Sequence, residues 1–149
     1  MLRKGLVGLA AVAMLSSVAF AKDAKSGVER DGKTTFAQSC AVCHSVRNIP
    51  EVLVIGNKKD WAELLEEGQQ FPSAHGWVGT RKMPRHGGDP KITLNEFISA
   101  VAFMANASGA DPKWKEAPEL DPEMYAKILE QIQLRYQRND LYDKIGKKY

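Results

Sequence analysis

Residues 36–47 read FAQSCAVCHSVR and hold both cysteines of the 149-residue chain and one of its three histidines. Two thiols three positions apart with an imidazole directly after them, Cys40, Cys43 and His44, admit four chemistries: thiol redox, zinc binding, a plain disulfide, or covalent attachment of haem. A thioredoxin-type pair opens a helix behind a β-strand, because the helix N-terminus lowers the thiol pKa. Here Glu29–Ser39 reads as helix, and no strand-rich pattern surrounds it. Zinc would need two further ligands, and His75 and His86 fall outside finger spacing. A Cys40–Cys43 disulfide explains the thiols and leaves His44 without a role. Haem attachment uses all three groups: the thiols join the two vinyl groups of one haem as thioethers, and the adjacent His44 is delivered to an axial face of the iron.

The first 21 residues say where such chemistry would take place. Arg3 and Lys4 precede an apolar run, Leu6–Phe20, which ends in Ala19-Phe20-Ala21. A charged head, an apolar middle and a small-x-small site make a secretory signal peptide with cleavage after Ala21, which places the mature chain in the periplasm. The run is short for a membrane span, which needs about 20 residues, so no stable membrane insertion is expected after cleavage. Lys and Arg together number 21 against 18 Asp and Glu. Two of the 21 are Arg3 and Lys4, so the rest of the chain is nearly balanced and nucleic-acid binding is disfavoured. What remains suffices for one small domain, whose modest core would gain from a large buried cofactor.

The elements around the cluster can be read from caps and periodicity. Asp60 and Glu63 form a D-x-x-E box ahead of a short helix through Glu67, with Gly68 placed to end it. Thr93 and Glu96 form a second box before Leu94–Ala107, where Leu94, Phe97, Ile98, Val101 and Met104 recur at helical spacing and Gly109 closes the helix. Between these helices, glycines at 76, 79, 87 and 88 read as loop, and His75, Met83 and His86 lie within it. Met83 precedes Pro84, which pushes it to extended geometry, so its thioether should project from a loop. Beyond Gly109 a linker, ADPKWKEAPELD, leads to Asp121 as a cap, with Pro122 at the first helical position. Tyr125, Ile128, Leu129, Ile132 and Tyr136 then share one apolar face. That face is expected to pack back over the core, with a partner or a second copy, through residues 122–139, as the other occupant.

The stretch Gly27–Gly109 resembles the class I c-type cytochromes, closest to the cytochrome c5-like monohaem group, on GKTTF, CAVCH, GNKKDWAELLEEG, GWVGTRKMPRHGG and LNEFISAVAFMANASG. The resemblance implies an all-α fold, three to four core helices around one covalently bound haem c, to which this chain adds a C-terminal helix. The expected division is 1–21 signal peptide, 22–110 cytochrome domain and 111–149 extension. Gly32 and Phe36 match the family's Gly-x-x-x-aromatic, which packs on an aromatic of the last core helix, here Phe103. Met83 matches the sixth ligand, opposite His44, with His75 and His86 as rivals. The family also places a proline after its C-x-x-C-H, whose carbonyl takes the ligand histidine's other ring proton. Pro50 is the candidate, but it sits further than expected from the Gly56-Asn57-Lys58 turn. The aliphatic run Val52–Ile55 would form a short strand or shield the haem edge. Trp61 is read as core, with a propionate contact as its alternative.

Two protein ligands leave the iron no open position, and no acid/base pair or nucleophilic triad accompanies the cluster. The resemblance therefore implies a carrier of single electrons between redox protein partners, and not an enzyme. The alternative is a ligand-binding or peroxidase-like haem protein, or a haem subunit fastened to a larger oxidoreductase by its C-terminal helix. Arg81, Lys82 and Arg85 flank Met83 and would steer an acidic partner.

Overall fold

Helical structure starts at Asp31, whose carboxylate accepts the Thr34 N–H at 2.6 Å in the computed structural model, which describes residues 28–47 and 49–144. The expected signal peptide, 1–21, lies outside the described residues. From this cap runs α1, made of an α turn at Gly32–Thr35, a π turn at Phe36–Cys40 and a second α turn at Ala41–His44. It is followed by α2 (Lys58–Glu67), α3 (Gln70–Val78), α4 (Leu94–Ala107) and α5 (Pro122–Lys144). Short 3-10 turns occupy Arg85–Gly88 and Ala117–Glu119. No strand occurs among the described residues, so the fold is all-α, as expected, and consistent with a class I cytochrome c.

The crossing of α1 over α4 organises the core. A Cβ on Gly32 would lie 2.2 Å from the Ser99 carbonyl oxygen, so only glycine permits this approach. One turn later Phe36 meets Phe103 with ring centroids 5.5 Å apart, as the Gly-x-x-x-aromatic pattern implied. Arg30 closes the same crossing: Nε and an Nη donate to the two Glu96 oxygens at 2.9 and 2.8 Å. Glu96 also completes the expected capping box with Thr93. Gly109, at φ 107°, leaves the end of α4 in a conformation suited to glycine.

Two elements differ from expectation. The cap of α2 is Asn57, whose side chain accepts from the Lys59 and Asp60 N–H groups, so the helix begins before the Asp60 box. Asp60 is engaged elsewhere, accepting from Arg47 and from the Val54 N–H at 3.0 Å. The glycine-marked region from 76 is not loop at its start, because α3 runs through Gly76 to Val78. A Cβ at Gly76 would lie 2.8 Å from the Phe97 ring, so this glycine serves helix packing, whereas Gly79, at φ 89°, ends the helix.

The extension is capped as expected, with Asp121 accepting the Met124 N–H at 2.8 Å. Its apolar face packs on the chain itself: Ile128 and Ile132 are buried with Ala74, Val78 and Ile98. Leu129 is 44% exposed, so the buried face is Met124, Tyr125, Ile128, Ile132 and Tyr136, and Leu129 drops out of it. The linker is fastened too. Gln69 exchanges hydrogen bonds with Lys115, Ala117 N–H donates to Ser99, and Glu116 accepts the Gly32 N–H at 2.9 Å.

Ile128→Ala should therefore lower stability by about 2–5 kcal/mol, and Leu129→Ala by no more than about 0.5 kcal/mol, in paired denaturant titrations. A second expectation concerns acid. Hydrogen bonding from Arg30 holds the Glu96 carboxyl down at about 2, against an ordinary 4.5. A depressed pKa contributes stability that is complete above the ordinary value and lost as pH falls through the folded one. Glu96→Gln should thus melt lower than wild type at pH 7, and the gap should close as pH falls from 4.5 towards 2.

Candidate functional site

The last turns of α1 present Cys40 and Cys43 on one side, at helical i, i+3 spacing, with His44 beside them. Cys40 is buried, Cys43 half-buried, and both are free thiols. All three line a cavity of about 390 Å³, a size typical of a cofactor site. Burial pushes the Cys40 thiol up to about 11, so it is a protonated thiol at neutral pH and not the low-pKa thiolate of a disulfide exchanger. Among the described residues, no group of three or more His, Cys, Asp or Glu side chains is gathered that could hold a bare metal ion.

His44 is fixed from behind. Its Nδ1 lies 2.8 Å from the Leu53 carbonyl, and since a carbonyl only accepts, Nδ1 carries the proton of this bond and Nε2 is the ring nitrogen left outside it. The acceptor is Leu53 and not Pro50, because the chain returns to α1 two residues beyond Leu53, where Ile55 N–H donates to the His44 carbonyl at 2.9 Å. Pro50 instead lines the cavity. Val52–Ile55 is not a strand. Its successive carbonyls point to different partners, Leu53 to His44 and Val54 to the Trp61 indole N–H at 3.1 Å. Trp61 is 2% exposed and its only donor is used by that carbonyl, so the core reading of this residue stands.

Met83 reaches the same cavity from a different segment. It sits in a tight turn closed by two backbone hydrogen bonds, Thr80 N–H to the Met83 carbonyl at 3.1 Å and Met83 N–H to the Thr80 carbonyl at 2.9 Å. The turn lies close against the end of α3, where a Cβ on Gly79 would fall 2.9 Å from the Arg85 nitrogen. Met104, buried in α4, contributes to the cavity wall with Phe97, Ala100 and Val101.

The two rival histidines separate. His86 stacks on Trp77 with centroids 4.0 Å apart and does not line the cavity. His75, expected in a loop, lies on α3, is half-buried and does line it. Burial first, then the charges of Arg135 and Arg138, lowers its pKa to about 4, so it is neutral at pH 7. The Leu53 acceptor and the placement of His75 escaped the sequence. The first had only the aliphatic run Val52–Ile55 as a signal, and the second had none, because the glycines around it mimic a loop.

The donor set fits haem c: two neighbouring thiols, an imidazole with Nε2 free, and a soft thioether against an apolar wall. It does not suit a hard cation, which takes oxygen ligands. No helix among the described residues is long and apolar enough to cross a membrane.

Comparison with known proteins agrees. The chain is 37% identical over 109 residues to cytochrome c-555 of Chlorobaculum tepidum, a match covering 69% of this chain and 92% of that protein. It is 37% identical over 83 residues to cytochrome c-555 of Chlorobaculum thiosulfatiphilum, covering 52% and 93% of the two chains. Cytochrome c-555 of Prosthecochloris aestuarii is 30% identical over 86 residues, covering 51% and 84%. No family model and no solved structure matches the chain. With a helical fold, a C-x-x-C-H cavity and a relative matched over nearly its full length, the chain belongs to the class I c-type cytochromes, which carry a covalently bound haem c.

Proposed function

We propose that this chain is an exported monohaem carrier of single electrons, with Cys40 and Cys43 as the thioether residues and His44 and Met83 as the axial iron ligands. The observation that carries the reading is the convergence of Cys40, Cys43, His44 and Met83 on one cavity, with His44 Nδ1 already engaged by Leu53. Cys40 and Cys43 would hold the haem covalently as thioethers, each link a net addition of S–H to a vinyl group that would need no oxidant. Bound there, haem c supplies an iron that gains or loses one electron without making or breaking bonds.

The chain's own residues set the conditions. The Nδ1–H bond to Leu53 orients the imidazole and raises the basicity of Nε2. The Met83 thioether favours the reduced metal and so raises the potential relative to a second histidine. Leu53, Val101 and Met104 give the cavity apolar lining. His44 and Met83 would both hold the iron, which favours the carrier reading over ligand binding or peroxidase chemistry. Val42 and Val46, 78% and 51% exposed, stand one and three residues from Cys43 in sequence as apolar surface residues. Arg81 and Lys82 are exposed close to Met83, a combination that suits a transient acidic redox partner. Cleavage after Ala21 and residence in the periplasm belong to the same reading.

Acid–acetone extraction of the holoprotein should leave the pigment on the chain, and a pigment that washes out removes the thioether assignment. The ligand set is tested by substitution. His44→Ala should prevent a low-spin holoprotein from forming. Met83→Ala should give a high-spin or carbon monoxide-binding iron with a lower potential. Wild type and His86→Ala should stay low-spin and refuse carbon monoxide. If His75→Ala has the effect expected of Met83→Ala, the sixth ligand is His75, the one rival that shares the cavity.

A further inference from the structure

The extension reaches the Met83 turn by two routes. Tyr136 of α5 lies beneath the Arg85 guanidinium, whose carbon is 5.2 Å from the ring centroid. Arg85 stands two residues after Met83, in a segment also pinned by His86 stacking on Trp77 of α3. The second route runs through α3 itself. Ala74 and Val78, four residues apart and so on one helical face, pack against Ile128 and Ile132 of α5. Gly76 lies between them in sequence and faces the other way, where a Cβ would come within 3.3 Å of the Met83 methyl carbon. Thus α3 is held between α5 and Met83, and the chain just beyond Met83 is held by α5 directly. Nothing in carrying one electron requires a fifth helix, yet this one bears on the segment that supplies the weaker axial donor.

We propose that α5 is a strap for the Met83 turn: Tyr136, as a positioning residue, anchors Arg85 while Ile128 and Ile132 brace α3, and together they keep the thioether from leaving the iron. This rests on the reading of Met83 as an axial ligand. A thioether on a loop can be displaced by an external base whenever the loop swings away, and the apparent affinity for that base scales with the fraction of open loop. Contacts that stabilise the closed turn therefore lower that affinity by the same factor.

The test uses the full-length ferric holoprotein, with imidazole as the probe and the methionine-to-iron charge-transfer band as the signal. An exposed cation–π contact is worth a factor of about 2–5 in an equilibrium. Tyr136→Leu should raise imidazole affinity by that factor, and Tyr136→Phe, which keeps the ring face, should match wild type. Arg85→Gln should act like Tyr136→Leu, and the double variant should exceed neither single one. Exchange of the Thr80 and Met83 amide protons should accelerate in parallel, a change that mere loss of global stability would spread over α1 and α4 as well. Wild-type affinity in Tyr136→Leu, or equal affinities in Tyr136→Leu and Tyr136→Phe with both raised, overturns the strap. A wild type lacking the band, or a Met83→Ala variant keeping it, overturns the ligand reading and the strap with it.

Discussion

The close crossing of α1 over α4 is the constraint on which the site depends. The two backbones approach to the point where Gly32 has no room for a Cβ beneath the Ser99 carbonyl. Phe36 against Phe103 fixes the angle, and Arg30 on Glu96 ties down the entry to α1. Because α1 ends in Cys40, Cys43 and His44, and α4 supplies Phe97, Val101 and Met104, this contact sets the two thiols and the imidazole against the apolar wall. Ser39 and Asp89 extend it: the Ser39 hydroxyl donates to Asp89 at 2.7 Å, next to Cys40 in sequence and just beyond the Met83 segment. One polar network therefore joins the thiol end of α1 to the chain leading into α4.

The π turn at Phe36–Cys40 belongs to the same geometry. A helix that opens by one residue shifts the side chains that follow relative to those before, which is why such turns collect at functional sites. Phe36 must face α4 while Cys40 and Cys43 face the cavity, and the wider turn lies between those two demands. Beyond His44 the chain folds back so that Leu53 and Val54 present successive carbonyls to His44 and Trp61. The imidazole orientation and the burial of Trp61 are thereby set by one short extended segment, and α2, capped by Asn57, starts immediately after it.

The extension makes the molecule more than a minimal cytochrome. Its linker is hydrogen-bonded to α1, to α4 and to Gln69 beside α3, and α5 covers the face of α3 turned away from the cavity. Small proteins bury a limited share of their apolar surface, so a second cluster built on Ala74, Val78, Ile98, Ile128 and Ile132 matters to a chain of this size. It also stiffens α3, the helix on which both Met83 and His75 depend for their positions.

The sequence by itself determined what is local. The clustering of Cys40, Cys43 and His44, the Thr93–Glu96 box, the Asp121 cap and the glycine ends at Gly68 and Gly109 were all legible, because each depends on residues within a few positions of one another. Even Phe36 with Phe103 could be read, through a recurring family pattern. Only the tertiary structure decided what depends on the chain returning to itself. It chose Leu53 over Pro50 as the acceptor for His44, since a backbone carbonyl carries no sequence signature. It put Gly76 inside a helix, where close packing on Phe97 outweighs the poor helical propensity of glycine. It turned Leu129 out to solvent, because the face a helix buries is set by the neighbour it meets, here α3, and not by the apolar residues it offers.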